Sequence, residues 1–300
     1  MKQTIFATLV ILSLISCSAK EQAFDASGTF EAVETIVSAE VTGLINTLNI
    51  EEGKELKAGE IVGHIDSTQL YLKKKQLEAQ VVAVLGKRPD VTAQVAPHRE
   101  QLKQAVNEQQ RISNLLMVDA ATAKQMDDGN AQVAIIKKQI AAQESALGIT
   151  SASLNKETEP LNMQIEQVND QLAKCRIVNK TVGSVLVKYA EVNEMAIAGK
   201  PLYKVSDLST MILRAYITDK QLSSVKLGQK VEVLVDDVGE KYKTYEGIVE
   251  WISDKAEFTP KTIQTKDERT NLVYAVKIRV KNDGYLKIGM YGEINFLKKI

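Results

Sequence analysis

The sequence predicts an α+β multidomain protein, in which a small β unit is interrupted by a long antiparallel helical hairpin and is followed by a second β domain. Three observations support this fold class. Apolar residues recur at steps of seven through the middle of the chain, a β-rich pattern before that region repeats after it, and further strand patterns follow. With 300 residues, 44% apolar and 25% charged, the chain suits two or three small domains better than one large core.

The predicted hairpin occupies residues 67–175 and reverses direction at a tip formed by residues 117–122. Each arm carries an apolar column with the seven-residue step of a coiled coil, so we expect two antiparallel helices of about 80 Å each if they are unbroken. Kinks or short breaks are expected near 86–89, Pro97, Gly148 and Pro160. The columns are Met126, Val133, Ile140, Leu147, Leu154, Leu161, Val168 and Cys175 on the descending arm, and Leu70, Leu77, Val84, Val91, Ala105 and Ile112 on the ascending arm, with Val81, Val95, Leu102 and Leu116 one turn along.

The split β unit is predicted to comprise residues 29–66 and 176–207, and its two parts repeat each other. When Gly183 is placed on Gly43, the apolar positions of the two parts fall in phase, which indicates a duplicated unit. Asn193 then falls on Gly53, and Asn is the next best tolerated residue where a turn needs a positive φ. We expect the two halves to close into one sandwich. Its predicted turn residues are Gly43, Gly53, Gly59, Gly183, Asn193 and Gly199.

The amino terminus has the form of a secretion signal, because Lys2 is followed by an apolar run at 5–15 that is too short to span a bilayer. The sequence Leu14-Ile15-Ser16-Cys17 resembles the lipobox of bacterial lipoproteins, which implies cleavage of the segment 1–17 before Cys17 and acylation of that cysteine. The alternative is a plain signal peptide with a chance cysteine. Residues 18–28 are interpreted as a tether, and no later run of eighteen apolar residues occurs.

Several kinds of chemistry have no support in the sequence. Lys plus Arg equals Asp plus Glu and aromatic residues make up 5% of the chain, so nothing indicates nucleic-acid binding. His64 and His98 have no cluster of metal ligands at a suitable spacing, and no nucleophile elbow or phosphate-binding loop is present. We therefore expect no enzyme activity, metal or cofactor. The second cysteine, Cys175, is interpreted as a small core residue.

The β unit with its inserted hairpin resembles the periplasmic adaptor subunits, also called membrane fusion proteins or the haemolysin secretion protein D family. The resemblance covers about residues 29–296 and implies a split lipoyl-like β-sandwich (barrel-sandwich hybrid) followed by a β-barrel domain at 208–300. The motif Leu286-Lys287-Ile288-Gly289-Met290 is similar to a Leu-Lys-Pro-Gly-Met turn of that barrel. Barrel strands are expected near 210–217, 230–235, 245–252, 272–280 and 291–296, with a short helix at 219–225.

The predicted tip carries residues that the resemblance assigns to contact with an outer-membrane exit channel. The family has an Arg, a Leu four residues later and a Ser seven residues beyond that. This chain has Arg111, Leu115 and Thr122 at those spacings. A structural interpretation is also available, because Thr122 with Gln125 forms a capping box, Leu115 belongs to the seam, and Arg111 can be a solvated charge.

The resemblance implies an envelope lipoprotein on the periplasmic side of the inner membrane, which links an exporter to an outer-membrane channel and assembles in a ring, commonly of six. The segment Ala256-Glu257-Phe258-Thr259-Pro260-Lys261 and the residues after it are similar to a variant found in adaptors of ABC-type exporters. The alternative is a long connection between strands that has no role in partner binding. The alternative function is a coiled-coil lipoprotein scaffold that binds another envelope protein without forming a duct. We expect charged and polar pairs, rather than a second apolar seam, to contact neighbouring copies: Arg99, Glu100, Lys103, Glu108, Lys137, Lys138 and Glu144.

Overall fold

A computed structural model describes residues 24–238, 241–258 and 272–296. The described chain contains four helices, α1 (Thr68–Leu85), α2 (Val91–Leu116), α3 (Ala123–Lys174) and α4 (Asp219–Leu222). Its strands are β1 (Ala26–Glu31), β2 (Glu34–Ser38), β3 (Gly43–Leu48), β4 (Glu55–Leu56), β5 (Ile61–Ile65), β6 (Arg176–Val178), β7 (Gly183–Lys188), β8 (Met195–Ala196), β9 (Pro201–Ser206), β10 (Thr210–Thr218), β11 (Lys230–Asp236), β12 (Tyr242–Ile252), β13 (Glu257–Phe258), β14 (Leu272–Lys281) and β15 (Tyr291–Phe296).

The split β unit folds into two four-stranded sheets that face each other across a shared apolar core. One sheet has the order β2-β9-β7-β4 and the other the order β6-β5-β3-β8, so each sheet combines strands from before and after the hairpin. The core between them includes Ile45, Ile65, Val185 and Tyr203, all fully buried. Neither half could bury its apolar face alone. The two halves therefore close into one sandwich, as the sequence predicted.

The two halves of this sandwich are related by a shift of 140 positions, the step from Gly43 to Gly183. The shift places β3 on β7, β4 on β8 and β5 on β9. It also converts one sheet order into the other, because β2, β9, β7 and β4 map onto β6, β5, β3 and β8. The pairing of Leu56 with Gly183 has its counterpart in the pairing of Gly43 with Ala196. A duplicated β unit therefore builds the domain with pseudo-twofold symmetry.

The second β domain is a closed barrel. Its strands follow the order β10-β1-β15-β11-β12-β14, and β14 pairs again with β10, while β13 extends the sheet on the outer side of β14. The core contains Phe30, Leu213, Val233, Ile278 and Ile294. The strands predicted from the sequence are present with ends that differ by at most a few residues, and the predicted helix at 219–225 is shorter, since α4 ends at Leu222.

The first strand corrects the predicted domain boundaries. The sequence predicts residues 26–28 in the tether and residues 29–31 in the lipoyl-like unit, but β1 lies between β10 and β15 in the barrel. Phe30 is buried in the barrel core. Gly28 packs so closely on the backbone of Arg214 that a Cβ would collide with its carbonyl oxygen. These contacts are between residues far apart in the sequence, and therefore no local pattern identifies the strand.

The helical hairpin has a broken ascending arm and a continuous descending arm. The ascending arm breaks between α1 and α2, where the Asp90 side chain caps α2 by accepting a hydrogen bond from the Ala93 amide at 3.0 Å. The expected break there is confirmed. At Pro97, Gly148 and Pro160 a break is wrong, because α2 and α3 pass through these residues as helix, and a kink at them stays a prediction. Pro97 and Pro160 both lie on exposed helix faces. Each proline leaves one backbone carbonyl of the preceding turn without a hydrogen-bond donor, and water can reach that carbonyl.

The predicted apolar columns form the interface between the arms. Every residue in the two columns is buried or half-buried, including Leu77, Val95 and Val168. At the base of the hairpin, the Ile65 amide donates a hydrogen bond to the Cys175 carbonyl at 2.8 Å. The two ends of the insertion therefore leave and rejoin the sandwich as neighbours.

Candidate functional site

The candidate site is the tip of the hairpin, where the chain reverses between α2 and α3. Asp119 has a φ of 56°, a conformation that few residues other than glycine adopt readily. Its amide donates to the Leu116 carbonyl at 3.2 Å and the Ala120 amide donates to the Leu115 carbonyl at 2.9 Å. This is the hydrogen-bond pattern of a Schellman motif, which satisfies the last carbonyls of α2. The tip is therefore a defined turn with a fixed shape.

Thr122 begins the descending arm. Its side chain accepts a hydrogen bond from the Gln125 amide at 3.2 Å, while the Gln125 side chain accepts from the Thr122 amide at 2.8 Å. This is the capping box that the sequence predicted, and it contributes about 1 kcal/mol to helix stability. The Thr122 side chain remains exposed, so capping occupies its hydroxyl without removing it from the surface.

Arg111 and Leu115 lie on the last two turns of α2. Arg111 is exposed and binds Glu108 through two hydrogen bonds, from Nε to Oε2 at 2.9 Å and from Nη2 to Oε1 at 2.5 Å. This pairing raises the pKa of Arg111 and lowers the pKa of Glu108, so both groups stay charged at neutral pH. Leu115 is half-buried at the end of the apolar seam. The three predicted tip residues therefore lie within the last turns of the hairpin, although nothing bonds them to one another.

The tip itself exposes two large apolar side chains that sequence reasoning did not assign to the site. Met117 is 77% exposed and Val118 is 70% exposed. Neither belongs to the seven-residue columns, and this departure from the seam is the signal that could have identified them. An apolar cap beside an arginine and a threonine suits contact with another protein, since exposed apolar groups at a rigid apex gain free energy when a partner covers them.

Polar contacts between the arms hold the upper hairpin together. The Gln109 side chain donates to Asn130 at 2.6 Å, and Arg99 pairs with Glu144 at 2.9 Å. Arg99 and Glu144, which the sequence analysis places among the contacts between neighbouring copies, bind each other within one hairpin and keep exposed side chains, so their contact with a neighbouring copy stays a prediction. Such contacts between exposed side chains are individually weak, and they agree with the register that the buried apolar seam sets.

The turn residues of the lipoyl-like domain divide into two groups. Gly53, Asn193, Gly59 and Gly199 have φ values of 84°, 70°, 82° and 90° and lie in turns. The prediction of a turn is wrong for Gly43 and Gly183, which begin β3 and β7. There the reason for glycine is close packing, because a Cβ on Gly43 would lie 2.8 Å from the Ile65 side chain, and one on Gly183 would collide with the Ser206 carbonyl.

Other candidate sites have less support. Within the described ranges, no group of three or more metal-ligating side chains occurs. No helix among the described residues is long and apolar enough to cross a membrane. The lipidation residue Cys17, and most of the segment similar to adaptors of ABC-type exporters, lie outside the described residues.

Known proteins share this architecture. No protein family model matches the chain. It is 28% identical to a UPF0194 membrane protein of Yersinia pseudotuberculosis, over 85% of this chain and 84% of that protein, and 25% identical to the UPF0194 membrane protein YbhG of Salmonella arizonae, over 87% and 84%. Among solved structures it is similar to MacA from Actinobacillus actinomycetemcomitans (TM-score 0.54, 20% identity, 90% of this chain and 76% of that chain). It is also similar to the membrane fusion protein Spr0693 from Streptococcus pneumoniae R6 (TM-score 0.50, 18% identity, 91% and 98%).

A split lipoyl-like sandwich, an inserted helical hairpin and a following barrel define the class of the periplasmic adaptors, or membrane fusion proteins. The chain has that fold, and the resemblance drawn from its sequence is confirmed. In sequence it is similar to UPF0194 membrane proteins.

Proposed function

We propose that this protein is a periplasmic adaptor lipoprotein that couples an inner-membrane exporter, of the ABC type, to an outer-membrane exit channel. It works by geometry rather than by catalysis. The observation that carries the proposal is the hairpin, whose descending helix has 52 residues and is therefore about 78 Å long. A helix of this length is far longer than a small sandwich needs for its own core, and it ends in a rigid, partly apolar tip.

The tip is the proposed contact with the exit channel. Met117 and Val118 supply apolar area, and Arg111 supplies a permanent positive charge at the edge of that area. In this arrangement the apolar cap gives affinity, while the charge gives orientation. The partner is expected to present apolar groups together with carboxylate or carbonyl oxygens.

Anchoring is proposed to occur through Cys17, which would hold the protein on the periplasmic side of the inner membrane. Residue 17 precedes the first described residue, Phe24, by seven positions, and seven residues span at most about 25 Å. The barrel would therefore stay close to the membrane, while the hairpin extends toward the channel.

A duct needs several copies, because one hairpin with two arms cannot enclose a path for a solute. We propose a ring of copies side by side, commonly six. The outward face of α3 carries Ile135, Ile149 and Met163, which are exposed and recur at steps of fourteen. We propose that Lys137 and Lys138 contact a neighbouring hairpin, as expected from the sequence, and that these exposed apolar residues add to the contact, which the sequence analysis did not predict.

The test separates a contact with the channel from a role inside the helix. In cells that lack this protein, survival against a panel of toxic compounds is measured after return of the wild type or a variant. We expect Arg111→Glu to fail to restore export. The double variant Glu108→Arg with Arg111→Glu should also fail, although it keeps an ion pair at the same spacing. Lys73→Glu, an exposed charge change on α1 that lies away from the tip and from the proposed neighbour contacts, is the matched control and should restore export.

Restoration by the double variant would contradict the tip contact, since it would show that Arg111 acts only through its pair with Glu108. Full export by Arg111→Glu would favour the other function, a lipoprotein scaffold that binds an envelope protein without joining a channel. In each case circular dichroism checks that the variants are folded.

A further inference from the structure

The two ends of the barrel are different surfaces. At one end, here called the linker end, Glu31 leaves β1 toward β2, and β10 begins at Thr210 just after β9. The opposite end is here called the distal end. It contains the start of β1 at Ala26, the end of β10 at Thr218 with its partner Val273, and the end of β15 at Phe296. The lipoyl-like domain and the hairpin are therefore connected to the linker end, and the distal end has no described domain attached to it.

The distal end exposes large apolar side chains. Leu227, in the loop between α4 and β11, is 67% exposed, and Phe258 at the end of β13 is 80% exposed. Leu272, which pairs with Phe258 across the sheet, is exposed as well. Exposure of three large apolar side chains to water is unfavourable, so covering them with an apolar phase would lower the free energy.

The chain also reaches the barrel at this end, and it is firmly bound there. The Asp25 amide donates to the Ile294 carbonyl at 2.9 Å, and the Asp25 carboxylate accepts from the Phe296 amide at 2.8 Å. The Gln221 side chain donates to the Asp25 carbonyl. The point at which the tether joins the barrel is therefore fixed beside α4 and the loop that carries Leu227.

We propose that the distal end of the barrel rests on the surface of the lipid bilayer that holds the amino-terminal anchor, with Leu227 and Phe258 inserted among the lipid headgroups. The inference rests on the proposed anchoring at Cys17. Asp25 lies eight residues after Cys17, a separation of at most about 29 Å, so the anchor would bring this end of the barrel within reach of the membrane. The bilayer is thus the apolar phase within reach of these side chains.

Lysine side chains around the apolar residues fit the same partner. Lys220, Lys226 and Lys255 are exposed and form no ion pair with the described residues. Their long stems can lie along an apolar surface while the ammonium groups reach lipid phosphates. Asp219 and Asp254 lie next to two of these lysines, so the net charge of the surface is small and insertion of the apolar side chains provides most of the binding.

The experiment uses residues 17–300 with Cys17→Ser, which keeps every described residue but has neither a leader nor a lipid. Flotation with vesicles of phosphatidylethanolamine and phosphatidylglycerol measures the fraction bound. The test variant is Leu227→Asp with Phe258→Asp. The matched control is Val238→Asp, because Val238 is 88% exposed and follows β11 at the linker end. All three proteins should show the same thermal unfolding.

We expect the parent protein to float with the vesicles, the double variant to lose about tenfold in partition coefficient, and the control to behave as the parent does. The proposal is overturned if the parent protein does not float, if the double variant floats equally well, or if the control loses as much. A distal end that does not bind vesicles but can be cross-linked in cells to an inner-membrane protein would be a protein-docking surface instead. Since the assay contains no anchor, exporter or channel, its result does not depend on whether those parts of the proposed function hold.

Discussion

Gly53 and Asn193 hold equivalent positions in the two halves of the lipoyl-like domain, and each donates its amide to the opposite half. Gly53 donates to the Val185 carbonyl at 2.8 Å, and Asn193 donates to the Ile45 carbonyl at 2.9 Å. Both have positive φ values, 84° and 70°. Two equivalent hydrogen bonds, one from each turn, therefore join the two halves, and a substitution at either turn affects the junction between them.

Asn193→Ala should lower the free energy of unfolding by about 1 kcal/mol, because alanine adopts a positive φ only at a cost. Asn193→Gly should leave stability within about 0.5 kcal/mol, since glycine accepts this conformation freely. Chemical denaturation of the two variants beside the wild type measures both effects. Equal stability of the alanine and glycine variants would show that the backbone conformation at this turn does not matter.

Gly148→Ala should raise the stability of the protein, whereas Asn193→Ala should lower it. Gly148 lies inside α3, and a Cβ there would meet no atom within 4 Å. Alanine in an exposed helix interior is favoured over glycine by about 0.5–1 kcal/mol, so thermal unfolding of the hairpin should shift upward. A destabilised variant would mean that α3 is not regular helix at this residue.

Deletion of residues 68–174 behind a short Gly-Ser linker should leave a folded β protein. The Ile65 amide and the Cys175 carbonyl are hydrogen-bonded at 2.8 Å, so a short connection can join the two ends without moving either strand. The apolar seam of the hairpin is internal to the hairpin, and its loss exposes no core. Near-ultraviolet circular dichroism and cooperative thermal unfolding check this prediction, and a broad, non-cooperative transition would contradict it.

Tyr203 should make stability depend on alkaline pH. Its hydroxyl donates to the Asn179 side chain at 3.2 Å, and burial raises the pKa of Tyr203 to about 12, with a smaller contribution from Glu60. The unfolded chain loses this proton near pH 10, before the folded protein does, so the stabilising contribution is fully present below pH 10 and is lost as the pH rises toward 12.

Comparison with Tyr203→Phe isolates this group from other tyrosines and lysines. The variant should be less stable at pH 8, because Asn179 loses a buried hydrogen-bond donor, at a cost of about 1–3 kcal/mol. The difference in unfolding free energy between wild type and variant should shrink between pH 10 and 12. A difference that is constant over this range would show that the Tyr203 hydroxyl titrates normally.

Cys17→Ser should give a protein that is either released from the membrane or retained with its leader uncleaved, and that fails in export. A lipoprotein is held by several acyl chains, whereas a chain without them has only weak surface contacts. Cys175→Ala is the control, because Cys175 is buried at the carboxyl end of α3 and its substitution should not affect processing. Membrane fractionation and the mass of the mature protein provide the measurement, and normal processing of Cys17→Ser would exclude lipidation.

Local patterns in the sequence predicted the elements whose contacts repeat regularly. The seven-residue columns identified both arms and their interface, and the match between Gly43 and Gly183 identified the duplicated halves of the sandwich. Turn chemistry predicted the capping box at Thr122. In each case the residues that determine the structure lie at fixed and short spacings, or repeat at one offset.

The features that could not be predicted depend on contacts between distant residues. The strand at Ala26–Glu31 has a weak local pattern and becomes part of the barrel only through its pairing with β10 and β15. Pro160 does not break α3, because packing of the apolar seam on both sides offsets one missing hydrogen bond. The exposure of Met117 and Val118 follows from the shape of the turn at Asp119, which the sequence does not specify.

The most direct test of the central claim is a photo-cross-link from the hairpin in intact cells. A photoreactive amino acid is placed at Val118 on the tip or, as the control, at Ile149 in the middle of α3, which is exposed to nearly the same extent, 70% and 69%. We expect residue 118, and not residue 149, to form an adduct that fractionates with the outer membrane and contains a channel-forming protein by mass spectrometry. Adducts of the same kind from both positions, or an adduct of residue 118 with soluble or inner-membrane proteins alone, would contradict the account of this protein as an adaptor that bridges to an exit channel.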